Sequence, residues 1–363
     1  MGSKNLDLLV CFCIVFTAFL SFSFKFSTAQ MVPAVFVFGD SLVDVGNNNH
    51  LPVSIAKANF PHNGIDFPNK KATGRFTNGK NAADFLAEKV GLPTSPPYLS
   101  LKFKTASAFM TGVSFASGGA GIINGTDEKL GQSITLTRQV GDYESVYGKL
   151  VENMGASATQ NLLSKSLFAI VIGSNDIFDY SNSSNSNKAT PQQYVDSMIL
   201  TLKDLIKRVY EHGGRKFFIA GVGPIGCVPS IRAKTETEAC NEETNAMAVL
   251  YNQKLIAMLK QLNTELKDIS YSYFDSYHLF QNITQNPSNY GFAEVKAACC
   301  GLGRLKAKVP CLPIATYCSN RKDHVFWDLF HPTEATFHIL VDTLFDGPSQ
   351  YTFPVNLRKL ITA

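Results

Sequence analysis

Apolar residues fall along this chain in short bursts, separated by longer stretches in which they recur every three or four positions. The bursts are Ala34 to Phe38, Gly112 to Ala116, Leu167 to Ile172, Lys216 to Ala220 and Ile269 to Phe274. They are too short for helices and rich in β-branched or aromatic side chains, so they predict strands covered on both faces. Helical spacing is clearest after Thr190-Pro191, an N-cap followed by a first-turn proline. Tyr194, Met198, Leu202, Leu205 and Ile206 then share one face, and Gly213-Gly214 ends the run. Glu242 to Leu266 repeats the pattern through Leu250, Leu255, Leu259 and Leu262, while Asn81 to Val90 and Pro332 to Phe345 supply two more helices. Strands alternating with helices predict an α/β fold, a three-layer sandwich whose central parallel sheet of about five strands lies between helical layers. No Gly-, Pro- or Ser-rich linker divides residues 30–363, which read as a single domain. Ser181 to Lys188 is a polar surface loop ahead of a helix, and there is no internal repeat.

One apolar run is of another kind. Leu8 to Phe24 follows Lys4 and precedes Ser27-Thr28-Ala29, the charged, hydrophobic and small-residue order of a secretory signal peptide spanning residues 1–29. An uncleaved membrane anchor is the alternative, and the small residues at the cleavage positions argue for removal after Ala29. Removal takes Lys4, Lys25 and Asp7 away and lowers the formal net charge from +4 to +3. The short basic clusters Lys70-Lys71 and Arg304 to Lys308 lack the density and interleaved aromatics of a nucleic-acid face.

Six cysteines remain: Cys227, Cys240, Cys299, Cys300, Cys311 and Cys318. An even count in an exported chain predicts disulfides, with Cys227 and Cys240 a local pair and the other four stapling the segment from Cys299 to Cys318; paired Cys-x-x-Cys zinc knuckles are absent. Sequons at Asn124, Asn182 and Asn282 predict a glycosylated surface, whereas Asn286 is disqualified by Pro287. The expected product is a secreted, extracellular protein with no transmembrane segment once the signal is removed.

The candidate chemistry begins where the first burst ends, at Gly39-Asp40-Ser41. Open α/β sheets place reacting groups at the carboxyl ends of their strands. A serine hydroxyl is a weak nucleophile, so it needs a base within hydrogen-bond reach and donors for the oxyanion. Two further strand ends carry polar groups: Leu167 to Ile172 runs into Gly173-Ser-Asn-Asp176, and Gly112 to Ala116 runs into Ser117-Gly-Gly-Ala-Gly121. In a parallel sheet all three turns emerge at one edge, so the Asn175 amide and a glycine N–H can converge near Ser41. For the base, two Asp-x-x-His pairs offer a carboxylate three residues before an imidazole, Asp275 with His278 and Asp328 with His331. Either carboxylate can accept Nδ1–H and turn Nε2 toward the serine. Spacing does not separate them.

Gly39-Asp-Ser-Leu42, Ser117-Gly-Gly-Ala-Gly121, Gly173-Ser-Asn-Asp176 and Asp328-Leu-Phe-His-Pro332, in this order, resemble the four blocks of the GDSL-type (SGNH) hydrolases. The likeness is greatest to the plant GDSL esterase/lipase branch, through Phe38 to Asn49, Gly74-Arg-Phe-Thr-Asn-Gly79, Gly223-Pro-Ile-Gly-Cys227 and the tail near Pro354. The resemblance implies a flavodoxin-like SGNH fold, with Ser41 as nucleophile, His331 as general base and Asp328 as its orienting carboxylate. It also implies an oxyanion hole from the Ser41 N–H, a glycine N–H, Gly119 in preference to Gly118, and the Asn175 side chain. Ser114 departs from the family pattern, where many relatives have Asn, and this puts the support of that turn in question.

The implied activity is a secreted serine esterase or lipase hydrolysing carboxylic (acyl) esters through an acyl-enzyme, in the apoplast or cell wall if the source is a plant. An acyltransferase using the same triad, or an inactive glycoprotein retaining the fold, are the alternatives. The expected partner is a small-molecule or lipid ester, with no nucleic acid and no cofactor. A metal mechanism through His324, Asp328 and His331 is disfavoured by ligand spacing. The larger Gly-x-Ser-x-Gly hydrolase class is disfavoured, because no serine sits in that pattern and the candidate nucleophile follows the first strand instead of lying in mid-chain.

Overall fold

The computed structural model describes residues 30–101, 105–183 and 188–363. The expected signal peptide lies outside them, as does part of the Ser181 to Lys188 loop. Four of the five apolar bursts become strands: β1 (Val35–Gly39), β2 (Leu167–Val171), β3 (Lys216–Ala220) and β4 (Ser270–Phe274), paired in parallel in that order. The helices that matter here are α1 (Ala82–Lys89), α2 (Leu136–Met154), α3 (Ser174–Asn182), α4 (Pro191–Glu211), α5 (Glu242–Glu265) and α6 (Glu334–Asp346). A short fifth strand, β5 (Thr352–Phe353), closes the far edge antiparallel to β4.

The remaining burst, Gly112 to Ala116, departs from expectation. It runs beside β1, with Val37 N–H donating to Val113 O (3.0 Å) and Phe115 N–H donating to Val37 O (2.8 Å), yet it makes isolated parallel bridges, Ser114 to Val37 and to Pro97, instead of a regular ladder. Its outer edge explains this: Gly112 enters at a φ of 102°, and the Asn47 amide takes the Ser114 and Ala116 carbonyls. Counted with this segment, the lateral order is the flavodoxin-like 2-1-3-4-5, with β5 added. The chain leaves β1 in one direction and returns across it to β2. The crevice between the carboxyl ends of β1 and β2 is therefore the topological switch point, where such sheets bind ligands.

Strand alternation divides the core in two. Phe36, Phe38, Phe168, Ile170, Phe217 and Ile219 face α2, α4 and α5. Val35, Val37, Ala169, Val171, Phe218 and Ala220 face α1 and α6. The N-cap read in the sequence at Thr190 forms and joins Gln193 in a reciprocal capping box, and the structure adds a second box between Asn81 and Asp84. α6 begins later than Pro332, because the Thr333 hydroxyl accepts the Thr336 N–H and so serves as N-cap. Disulfides join Cys227 to Cys240, Cys299 to Cys318 and Cys300 to Cys311.

Candidate active site

β1 ends on Gly39, whose φ of 150° is open only to glycine, and a Cβ there would lie 2.2 Å from Val171 O. The chain therefore turns sharply at the sheet edge and presents Ser41. Asp40 is buried, with its Oδ1 accepting the Leu42 N–H at 3.0 Å; burial pushes its carboxyl up to about 7. Gln139, from α2, clasps the same strand end: its Oε1 accepts Gly39 N–H and its Nε2 donates to Gly39 O, both at 2.8 Å.

The imidazole arrives from the other end of the chain. His331 Nε2 lies 2.8 Å from Ser41 Oγ, and Nδ1 lies 2.8 and 2.9 Å from the two oxygens of Asp328. Asp328 Oδ1 also accepts the Phe330 and His331 N–H groups at 2.9 Å, which locks the Asp-to-His turn. An ionised carboxylate only accepts, so Nδ1 carries the hydrogen and Nε2 receives the Ser41 hydroxyl. The Phe76 ring rests against the imidazole, 5.0 Å between centroids, and Thr77 Oγ1 donates to Pro332 O. The Gly74 to Gly79 block thus buttresses the histidine turn.

The other pair, Asp275 with His278, makes a 2.7 Å contact, but the His278 side chain is 64% exposed and takes no part in lining the cavity around Ser41. Geometry thus separates what spacing did not. His324 Nδ1 bonds Asp323, and among the described residues no three His, Cys, Asp or Glu side chains converge as a metal site.

Three donors border the same cavity as the imidazole. The Ser41 and Gly119 N–H groups make no hydrogen bond within the described residues, and both residues line the cavity with Asn175. The Gly118 N–H is committed to Asp44 Oδ2 at 3.0 Å, which leaves Gly119, at a φ of 80°, as the free glycine donor. Asn175 Nδ2 gives one hydrogen to Ala120 O at 2.9 Å and keeps the other. Asp176, next along α3, accepts the Ile122 and Ile123 N–H groups and the Thr126 hydroxyl, so it ties the Asn175 helix to the glycine turn. Burial pushes the Asp176 and Asp44 carboxyls up to about 6.

The family model for GDSL-like lipase/acylhydrolase matches residues 35–344. The chain belongs to that family. A GDSL esterase/lipase of Arabidopsis thaliana is 52% identical over 340 residues, covering 91% of this chain and 90% of the relative. A second from the same plant is 38% identical over 334 residues, covering 91% and 86%, and GDSL esterase/lipase 7 is 36% identical over 363 residues, covering 98% and 99%. Membership makes the chain an ester-hydrolysing enzyme by class.

Several groups that organise this GDSL site carry no signal of their own in the sequence. Gln139 reads as one polar residue on an amphipathic helix. Asn48 sits in a recognisable block, yet only the fold shows that its amide donates to Ala56 O and Gly118 O at 2.8 Å. At Ser114, where the family pattern differs, the buried hydroxyl has no hydrogen-bond partner. The turn is held by its backbone instead, through Asn47. Of the sequons, Asn124 and Asn182 are exposed, whereas Asn282 lies within the helix Ser276–Gln285 and donates to the Tyr290 and Tyr351 hydroxyls.

Proposed function

We propose that residues 30–363 act as one secreted hydrolase domain that cleaves carboxylic esters through an acyl-enzyme on Ser41. The observation that carries this reading is the 2.8 Å contact between Ser41 Oγ and an imidazole already held by a carboxylate. His331 takes the Ser41 proton as Oγ bonds to the ester carbonyl carbon. The oxyanion that forms accepts hydrogen bonds from the Ser41 N–H and the Gly119 N–H, which have no other partner among the described residues, and from the second hydrogen of Asn175 Nδ2. His331 then gives its proton to the alkoxide, which leaves as the alcohol. Water, deprotonated by the same imidazole, releases the acyl group as the acid and returns the proton to Ser41. Asp328 stays ionised throughout and stabilises the imidazolium.

Secretion is part of the proposal, supported by residues 1–29, the three disulfides and the exposed sequons Asn124 and Asn182, which we assign as glycan sites. No helix among the described residues is long and apolar enough to cross a membrane. Fluorophosphonate labelling tests the nucleophile: the wild type is modified at Ser41 and loses esterase activity, and Ser41→Ala is not labelled. A folded wild type that resists labelling, or an Ala variant labelled equally, overturns the reading.

A further inference from the structure

Behind the turn from Asp328 to His331 lies a small apolar cluster separate from the two cores that flank the sheet. Trp327, fully buried, packs there with Cys299, Cys300, Cys311 and Ala315. Small clusters of this kind commonly sit under long loops. This one is tied into the backbone of the turn itself. Trp327 N–H donates to His331 O at 2.7 Å, Phe326 is bridged antiparallel to Pro332, and Thr333 N–H donates to Val325 O at 3.0 Å. The Asp–His turn is therefore the tip of a short hairpin. The outer edge of its first arm is taken by Cys299 N–H, which donates to Phe326 O at 2.9 Å, and by Cys300 N–H, which donates to Trp327 O at 2.7 Å.

Those two neighbours are cross-linked to different points of one segment, Cys299 to Cys318 and Cys300 to Cys311. Covalent ties on consecutive residues fix the register of the chain that backs the hairpin. A loop from the amino-terminal part of the molecule adds a third hold. The Trp327 indole Nε1–H donates to Asn63 Oδ1 at 2.9 Å, His62 packs against the Tyr317 ring with 4.8 Å between centroids, and Ile65 covers the cluster. A buried indole N–H left without an acceptor is costly, so this bond decides where the ring and the backbone of residue 327 come to rest.

The bonds between Asp328 and His331 are internal to the turn. They orient the imidazole within it and do not fix the turn against Ser41. Phe76 and Thr77 brace it on one side, and the cluster braces it from behind. We propose that Trp327 is a positioning residue, with Asn63 as its anchor and the two disulfides as its frame, which holds the hairpin where His331 Nε2 meets Ser41 Oγ. The inference rests on Ser41 and His331 being nucleophile and base. A misplacement of about 1 Å costs reactions of this kind about a hundredfold.

The test is hydrolysis of p-nitrophenyl acetate by the full mature protein, with active sites counted by fluorophosphonate labelling. Trp327→Phe keeps a ring and loses the donor, and it should lower kcat per labelled site by about tenfold or more with KM nearly unchanged. Asn63→Leu removes the acceptor and should act in the same way. Combining the two leaves neither group unpaired, so the double variant should be no worse than either single one. Trp327 is the only tryptophan of the chain, and its emission therefore reports on the cluster directly. Cys299→Ser combined with Cys318→Ser should move that emission to longer wavelength and lower kcat in the same preparation, which serves as the independent check if Trp327→Phe folds poorly. Asn63 also borders the cavity around Ser41, so an effect of Asn63→Leu confined to KM makes it a substrate contact and overturns the anchor. A kcat per labelled site unchanged in Trp327→Phe, losses that simply multiply in the double variant, or a red-shifted emission with full turnover overturns the positioning role and leaves the Ser41 chemistry intact. A wild type that is not labelled at Ser41 overturns the hydrolase reading instead.

Discussion

Asp328 shows how one carboxylate both builds and serves the site. Its Oδ1 accepts two backbone N–H groups and shares the imidazole Nδ1–H with Oδ2, so the ring is oriented by the same bonds that fold the turn. Asp328→Asn should lower kcat by about 10⁴ by offering the ring an amide and the wrong tautomer. His331→Ala should abolish turnover of p-nitrophenyl acetate, whereas His278→Ala, in the exposed pair, should leave most of it. The reverse pattern would assign the base to His278. Asn175→Ala should lower kcat by about a hundredfold to a thousandfold with little change in KM, since its free hydrogen meets only the transition-state oxyanion. An effect confined to KM would make Asn175 a substrate-binding group instead.

At the scale of elements, the site is a set of turns held by side chains from helices. α2 contributes Gln139, whose amide grips both polar groups of Gly39 and also donates to Ile134 O. Gln139→Leu leaves the Gly39 N–H buried without a partner and should destabilise the protein by about 1–3 kcal/mol in urea unfolding. It should lower kcat as well, because Ser41 is two residues away; wild-type stability and turnover would show that the clasp is dispensable. The cap at Thr190 was legible in the sequence because a cap is a local bond between near neighbours. So were β1 to β4, as short runs rich in aliphatic and aromatic residues. The Gly112 to Ala116 run was misread as a regular strand, since its irregularity comes from Asn47, more than sixty positions away in sequence. β5, only two residues long, has no periodicity to reveal it. Ser41, Asn175 and both Asp–His pairs were visible as residues. Choosing between the pairs from the residues alone required tertiary position, which spacing does not contain.

At the scale of the whole molecule, three buried carboxylates contribute a pH dependence opposite to that of the ion-paired Asp66 and Glu144, whose carboxyls are held down, against burial, by Arg321 and Arg208. Asp40, Asp44 and Asp176 are pushed up to about 7, 6 and 6 by burial. Between about pH 4 and pH 7 the folded chain therefore holds protons that the unfolded chain has released, and their contribution to stability falls as pH rises through that window. Asp40→Asn removes one such group. The drop in Tm between pH 4.5 and pH 7.5 should be smaller in this variant than in wild type, and parallel profiles would show that Asp40 does not titrate in that range.

Ser41 and His331, the proposed nucleophile and base, are 290 positions apart in the chain, and α6 follows the histidine. Contacts of such long range are the slowest to close. Esterase turnover is thus a signal of completed folding. A nascent or truncated chain that lacks Asp328 to His331 holds Ser41 with no imidazole beside it.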